Sequence, residues 1–385
     1  MIEVAETAAW LIGPARLSGD ASVVATGFVE RMVAQGLPVH RMRMAMRVDN
    51  PLLRAWGLSW TPESGAEVYT VLQTLLDTPA YAGSPVQHVI ETRQTFRRRL
   101  AALGASDHPV LHELAGQGFC DYFAVPVAFG NGVVQAAMFA TRNEAGFGDD
   151  QIAAVGSLAT PLAAALEPIA MRRSTASLLA AFLGEGPAAR VQAGAVRRGD
   201  VVETEAAILL ADMRGFTPLS LALPPDELLT LLGRYFEAVV NAVRAEGGDV
   251  LKFIGDGVLA IFPVLEGERD RRAVCAAAVR AAARAVAAGE ESSLPAFVTA
   301  LHVGPVIYGN VGSASRLDFT VVGPTVNTVS RLELVAKSHN ERTVCSASFA
   351  RHLPEDSFSE LGVFELKGLE AQPVFSVLTE RFPGA

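Results

Sequence analysis

The sequence predicts an α/β chain of the α+β kind built in two parts, and three patterns carry that prediction. In the C-terminal half a strand-like run, Ala206 to Leu210, gives way to helical spacing from Pro218. A strand pair around Gly255-Asp256-Gly257, a second helix from Arg271 to Ala288 and further strands at Pro295 to Gly304 and Val306 to Val311 follow. In the N-terminal half Tyr122 to Phe129 and Val133 to Thr141 read as a hairpin turned by Gly130-Asn131-Gly132. Apolar-periodic stretches on either side of it read as helices. A chain of 385 residues has room for two or three domains, each with its own core.

Taken in order, residues near 5 to 35 repeat at helical spacing, with Val23, Val24, Phe28, Val29 and Met32 on one side, and stop at Gly36-Leu37-Pro38. From Val39 to Val48, Met42, Met44 and Met46 alternate with Arg41, Arg43 and Arg47, a half-buried strand. A methionine face can adapt to a ligand, but core packing explains it more simply. Asp49-Asn50-Pro51 is a turn, and Leu52 to Trp60 reads as the next strand. Arg93 to Arg99 is a basic patch read as helical. His108 and His112 are four apart and would share a helix face, yet no third metal ligand accompanies them. Phe147-Gly148-Asp149-Asp150 places acids at the start of a long helix running past Leu166. The helical signal continues through Ile169, Leu178, Leu179, Phe182 and Leu183 to a stop at Gly184-Glu185-Gly186-Pro187. Residues 169–201 are therefore a linker, either an ordinary helix or a carrier of signal, between a domain at 1–168 and a second at 202–385.

Composition narrows the classes. Lys plus Arg is 32 against 41 Asp plus Glu, a net charge of −9, so nothing global favours nucleic acid or an anionic membrane. Cys120, Cys275 and Cys345 are far apart, odd in number and without metal-ligand spacing, which fits a reducing cytoplasm. The N-terminus carries acid where a signal peptide carries base. Gln151 to Leu166, the uncharged run that most invites a membrane reading, is too short for a span and contains Gly156, Ser157, Thr160 and Pro161. A cytoplasmic protein is expected, with no solenoid repeat.

Chemistry concentrates between Ala206 and Arg331. Asp256 sits at the tip of the hairpin V-L-K-F-I-G-D-G-V-L-A-I-F, and Asp212 follows the strand Ala206 to Leu210. The two carboxylates can meet if their strands are neighbours, and such a pair is the usual protein contribution to a magnesium site that also uses substrate phosphates. The backbone after Asp212 offers N–H groups to a polyphosphate. Lys252 interrupts an apolar strand, where a charge is costly without a partner. The plain alternative is a solvated edge lysine and an aspartate chosen for the turn. Past Gly323-Pro324, a helix start, Asn327 and Arg331 share a face apart from the stripe of Val326, Val329 and Leu332. Such a pair is also what the wet side of any helix looks like.

The blocks D-M-R-G-F-T, K-F-I-G-D-G and T-V-V-G-P-T-V-N-T-V-S-R resemble the three signature blocks of the class III nucleotidyl cyclases, in order, over roughly Val202 to the C-terminus. The resemblance implies a ferredoxin-like catalytic domain, in agreement with the strand and helix order. It implies that Asp212 and Asp256, with the Met213 carbonyl, hold two Mg²⁺ or Mn²⁺ ions. Gly215, Phe216 and Thr217 would receive the triphosphate, Lys252 and Thr320 read the purine, Asn327 orient the ribose, Arg331 neutralise the α-phosphate and Lys367, in F-E-L-K-G taken as the final strand, bind phosphate. Lysine and a hydroxyl at the purine positions favour ATP, since members taking guanine place a glutamate and typically a small or thiol residue there. Thr320 departs from the commoner aspartate and resembles the threonine-bearing subgroup. The implied activity is an adenylyl cyclase making 3′,5′-cyclic AMP and pyrophosphate, with no dedicated side-chain base. Because the family draws metal and base contacts from different chains, a homodimer is implied. The alternatives are a guanylyl cyclase and a catalytically silent nucleotide-binding signalling module. Gly247-Gly248-Asp249 hints at a dinucleotide-forming enzyme but lacks the acidic and aromatic residues that should follow. The N-terminal layout, with F-G-D-D-Q-I before its last helix, resembles a GAF-type sensor with an antiparallel sheet and an unnamed small-molecule ligand. Cys120 lacks the neighbouring histidine of pigment-attaching members.

Overall fold

Arg41 to Arg47 is a strand, β1, and its alternation is a genuine two-sidedness: Met42, Met44 and Met46 are buried, while Arg41 and Arg43 stand on the opposite face. The computed structural model describes residues 2–47, 53–72, 81–264 and 271–382, so the Asp49-Asn50-Pro51 turn lies outside the described residues. The chain divides into two units, Met1–Ala181 and Phe182–Ala385.

In the first unit β1 joins β2 (Leu53–Thr61), β3 (Gly65–Leu72), β4 (Phe96–Arg99), β5 (Asp121–Ala128) and β6 (Val134–Thr141) in one antiparallel sheet, ordered β3-β2-β1-β6-β5-β4. The methionine face packs on α1 (Ala21–Ala34), through Phe28, Val29 and Met32, and on Leu162 and Leu166 of the later helices. The opposite face meets α2 (Pro85–Thr92) and α3 (Pro109–Gly116) through Val89, Leu111 and Leu114. The long helical pattern continues as α4 (Asp149–Ser157) and α5 (Ala159–Leu183).

Three expectations need correction here. Residues 5–35 are not one helix: the segment kinks at Gly13, Gly19 takes φ +66°, and α1 starts afresh where the Asp20 carboxylate accepts from Ser22 N at 2.7 Å. Within α1 itself Val23 lies off the stripe of Val24, Phe28, Val29 and Met32, and it is 50% exposed. The Arg93 to Arg99 patch is not helical, because α2 ends at Thr92, Arg93 is left-handed at φ +58°, and β4 follows. Carboxylates lying beside the extended chain explain it: Arg97 pairs with Asp121 at 3.1 Å and with Asp149, and Arg98 with Asp107 at 2.7 Å. His108 serves as the N-cap of α3, its Nδ1 accepting from Val110 N at 3.2 Å.

The second unit opens with α6 (Glu185–Gln192) and runs β7 (Val201–Met213), α7 (Phe216–Ala222), α8 (Pro225–Ala245), β8 (Asp249–Ile254), β9 (Gly257–Val264), α9 (Arg271–Glu291) and β10 (Phe297–Gly312). These strands lie side by side as β10-β7-β9-β8, all antiparallel, with α8 and α9 on one face: the ferredoxin-like plan read from the sequence. Next come β11 (Leu317–Val322), α10 (Pro324–Ser338), β12 (Thr343–Ser346), α11 (Ala347–Ala350), β13 (Phe358–Phe364) and β14 (Gln372–Val377). α10 covers the other face with Val329, Leu332, Val335 and Ala336.

Two strands expected at Pro295–Gly304 and Val306–Val311 are one, β10. It pairs β7 throughout and changes its second partner from β12, at Thr299–Leu301, to β11, at Ile307–Gly312. Pro305 falls between those stretches, where a missing N–H breaks neither ladder. Phe364 to Gly368 is not the final strand either: Phe364 ends β13, Gly368 turns at φ +81°, and β14 is the last strand, leaving Lys367 exposed in the connection. Among the described residues no single helix is long and apolar enough to cross a membrane; α4 and α5 together pass by length and composition, with a bend of 43°.

His302, on β10, is held at Nδ1 by Ser346 Oγ at 2.6 Å, and burial depresses its pKa to about 4. Its folded value lies below the ordinary one, so the unfolded chain takes up the proton first. This contribution to stability is complete above pH 6.5 and is lost as pH falls towards 4. Its share of the change between pH 7 and pH 4.5 is about 2 kcal/mol, read as the difference in urea midpoint, by circular dichroism at the two pH values, between the native sequence and His302→Asn. All three tryptophans, Trp10, Trp56 and Trp60, lie in the first unit, so their fluorescence is an internal control.

Candidate active site

β7 and β9 are neighbours, with Ala211 opposite Val258, so the end of one strand and the tip of the β8–β9 hairpin come together. Asp212 and Asp256 meet there. Met213 N donates to Asp256 Oδ2 at 3.1 Å, fixing the hairpin aspartate to the strand end. Gly215, at φ +67°, makes the turn into α7, which begins at Phe216 rather than Pro218. Arg214 ties this junction to the end of α10, donating to the carbonyls of Glu341 at 2.8 Å and Ala336 at 3.3 Å.

The electrostatics are those of a crowded acidic site with one cation. Burial pushes Asp256 up to about 6, reinforced by its bond to Asp212 and the charge of Asp212. Burial also acts upward on Asp212, but hydrogen bonds with Asp256, Lys337 and Glu333 outweigh it and hold Asp212 below the usual carboxylate range. Lys337 Nζ donates to Asp212 Oδ2 and lies 2.7 Å from Glu333 Oε1. Burial and the neighbouring Asp212 raise Glu333 despite that lysine. Asp212 Oδ1 is buried and, among the described residues, has no hydrogen-bond partner. Tyr235 OH is likewise buried and unpartnered, its pKa raised by burial, Asp212 and Asp256.

These observations test whether a divalent ion fits. An orphaned carboxylate oxygen, a second aspartate destabilised as an anion, and an ammonium already drawn to the first describe a site short of positive charge, and the residues fit. Among the described residues no three His, Cys, Asp or Glu side chains form a metal cluster on their own, so an ion here needs other oxygens, such as those of a phosphate.

The base-reading candidates gather elsewhere. Lys252 is ion-paired to Asp318 at one end of β11, and Thr320, two residues on, shares the Asp318 face of that strand. β11 lies against β8, so the charge that looked costly on β8 has its partner. Asn327 is exposed on α10, and the buried Arg331 Nε has no partner among the described residues. Among the described residues no hydrogen bond or ion pair joins Asn327, Arg331 or Lys367 to the aspartates, which instead bond Lys337 Nζ and Met213 N. At 3.6 residues per turn, Asn327 and Arg331 lie roughly a third of a turn round α10 from Glu333 and Lys337. One face of the helix meets its own chain's carboxylates and another does not.

Glu333, Lys337, Arg214 and Tyr235 were missed from sequence. The only signal for the first two was their i,i+4 spacing, which reads as ordinary helix-surface pairing.

Residues 202–378 match the family model of the adenylate and guanylate cyclase catalytic domain. Adenylate cyclase 1 of Rhizobium meliloti (strain 1021) is 32% identical over 171 residues, 43% of this chain and 26% of that protein. An adenylate cyclase of Anabaena cylindrica is 33% identical over 161 residues, 40% of this chain and 32% of that protein. The chain thus spans about a quarter to a third of the length of these relatives. A solved bacterial light-regulated adenylyl cyclase is 28% identical, with 46% of this chain and 92% of that one covered and a TM-score of 0.41. The paired aspartates of β7 and the β8–β9 hairpin therefore lie within the stretch of this chain, residues 202–378, that matches the adenylate and guanylate cyclase catalytic domain.

Proposed function

We propose that the chain is an adenylyl cyclase, converting ATP to 3′,5′-cyclic AMP and pyrophosphate in a homodimer. The observation that carries the reading is the Asp212/Asp256 pair with its orphaned oxygen and borrowed ammonium. Asp212 and Asp256, with the Met213 carbonyl, would hold two divalent ions, Mg²⁺ or Mn²⁺. When bound, these supply the positive charge that acidifies a ribose 3′-hydroxyl and screens a triphosphate. The chain's own residues do the rest. The backbone of Gly215, Phe216 and Thr217 receives phosphate oxygens, Lys367 adds a cation, and Asn327 orients the ribose. Arg331, whose Nε has no partner among the described residues, offsets the charge that grows at the α-phosphorus as the 3′-oxygen attacks in line and pyrophosphate leaves.

Lys252 and Thr320 read the base, and a lysine donor with a hydroxyl suits the N1 and N6 edge of adenine. The Lys252–Asp318 pair must open or share its proton donor when the base enters. Two features support the dimer: the Asn327/Arg331 face lies away from its own aspartates, and Leu221 of α7, Leu229 of α8 and Phe253 and Ile254 of the edge strand β8 are exposed apolar side chains. A second copy would cover them and complete each site. Residues 1–168 would be a GAF-like sensor acting through 169–201, where α5 carries the chain onward. The free cysteines suit a cytoplasmic setting.

The test is product analysis by the purified chain with ATP or GTP and Mg²⁺ or Mn²⁺. Cyclic AMP from ATP supports the reading, cyclic GMP moves it to a guanylyl cyclase, and nucleotide binding without product makes the chain a silent module. A second measurement tests Lys337. Replaced by methionine, it no longer competes for Asp212, and the Mn²⁺ concentration giving half-maximal activity is expected to fall about fivefold, as expected for a charge pair worth roughly 1 kcal/mol.

A further inference from the structure

The first unit holds a cavity of about 240 Å³ between the arginine face of its sheet and the helices α2 and α3. Its walls are mostly apolar, with Met138 of β6 and Leu114 of α3 among them, yet Arg41 and Arg43 both line it, and so do Tyr69 and Tyr122. Because strand side chains alternate, Arg41 and Arg43 stand on the same face, with Cα atoms about 6.6 Å apart. Two like charges are thus held side by side in apolar surroundings.

Neither is held in a direct ion pair: Glu113 of α3 acts on Arg41 only from farther off and through Gln117, whose Nε2 donates to Glu113 Oε1 at 3.1 Å. Among the described residues, no carboxylate lies within salt-bridge distance of either guanidinium. Arg41 donates one bond, to Gln117 Oε1 at 3.3 Å. Arg43 lies 4.4 Å over the ring of Tyr69, and its buried Nε has no partner. Burial and the charge of Arg43 together lower the pKa of Arg41. The three arginines of β4 that follow Phe96 are held differently: Arg97, Arg98 and Arg99 each face an aspartate. An unpaired cationic pair beside a cavity is an anion site awaiting its anion.

We propose that this cavity binds a small organic anion with a flat apolar body, its carboxylate or phosphate head held by Arg41 and Arg43. The apolar body lies against Tyr69, Met138 and Leu114. Burial raises the pKa of Tyr122, so its phenol stays neutral and can donate to the same head. The volume falls below the roughly 300–1,000 Å³ of drug-sized ligand sites, which points to a single ring rather than a nucleotide.

The test uses the full chain and titration calorimetry with benzoate, phenyl phosphate, benzamide and inorganic phosphate. Benzoate or phenyl phosphate is expected to bind at least tenfold more tightly than benzamide, which keeps the ring without the charge, and than inorganic phosphate, which keeps the charge without the ring. Preference for benzoate assigns a carboxylate head, and preference for phenyl phosphate a phosphate ester; either supports the site. Arg43→Met, similar in bulk, should weaken binding at least tenfold and raise the ligand-free Tm of the first unit, followed by tryptophan fluorescence, by about 2–4 °C. Arg41→Met, at a more open position, gives the same readouts if the first variant does not fold. Benzamide binding as tightly as the anions, absence of millimolar binding by both anions, or unchanged affinity in a folded arginine variant overturns the proposal.

Discussion

Asp212→Asn is expected to cut cyclic-nucleotide formation by at least about 10³-fold and to leave the second unit folded. The substitution keeps the shape and removes the charge that Lys337 now satisfies and that any divalent ion would need. Loss of one preorganised electrostatic group commonly costs about 10²–10³ in turnover, and loss of a metal ligand adds to it. Stability should hold or rise, because Asp256 is raised to about 6 by burial and by Asp212. With asparagine at 212, the charge component of that shift disappears and Asp256 moves back towards an ordinary carboxylate. Cyclic-nucleotide assay and thermal unfolding, run together, check both halves. Retained activity in a folded Asp212→Asn protein would remove the paired aspartates from the mechanism.

Mixing two inactive proteins, Asp212→Ala and Arg331→Ala, is expected to restore about a quarter of wild-type activity. If sites are shared across a two-fold axis, random exchange makes about half the dimers mixed, and each mixed dimer has one site carrying both lesions and one carrying neither. The geometry behind the expectation is the split of α10: Lys337 pairs with Asp212 of its own chain and with Glu333, while Arg331 Nε finds no partner among the described residues. If the mixture stays inactive although the chains exchange, the shared-site arrangement fails. If Arg331→Ala is active alone, its role at the α-phosphorus fails first.

Much of this was legible from residues because it is local. Gly255-Asp256-Gly257 specifies a hairpin tip whatever surrounds it, and β9 follows as expected. The ferredoxin-like order was visible because hydrophobic period changes cleanly between strand and helix in the second half. Two of the misreadings share a cause. Arg93 to Arg99 carries no apolar period, and only Asp107, Asp121 and Asp149, distant in sequence, decide that it is extended. Pro305 reads as a strand end unless one knows that β10 changes neighbours there. At the site, the aspartates sit in glycine-bearing turns and announce themselves, whereas Glu333 and Lys337 look like any i,i+4 surface pair until β7 arrives beneath them. Arg41 and Arg43 were visible as an alternation, but their lack of an acid partner is a fact of three dimensions.

Lys337 has a further consequence for how this unit comes into being. A cluster of acids that waited for a metal to neutralise it would fold only as fast, and only as far, as the ion allowed, as small zinc domains do. Here the balancing charge is encoded two helical turns after Thr328 and Val329, on a helix that must pack on the sheet in any case. The catalytic unit can therefore finish folding in an ion-poor environment and be stored intact. Under the proposed function, chelation is expected to stop activity without unfolding the unit, and return of the ion to restore it, as paired activity and circular dichroism measurements would show.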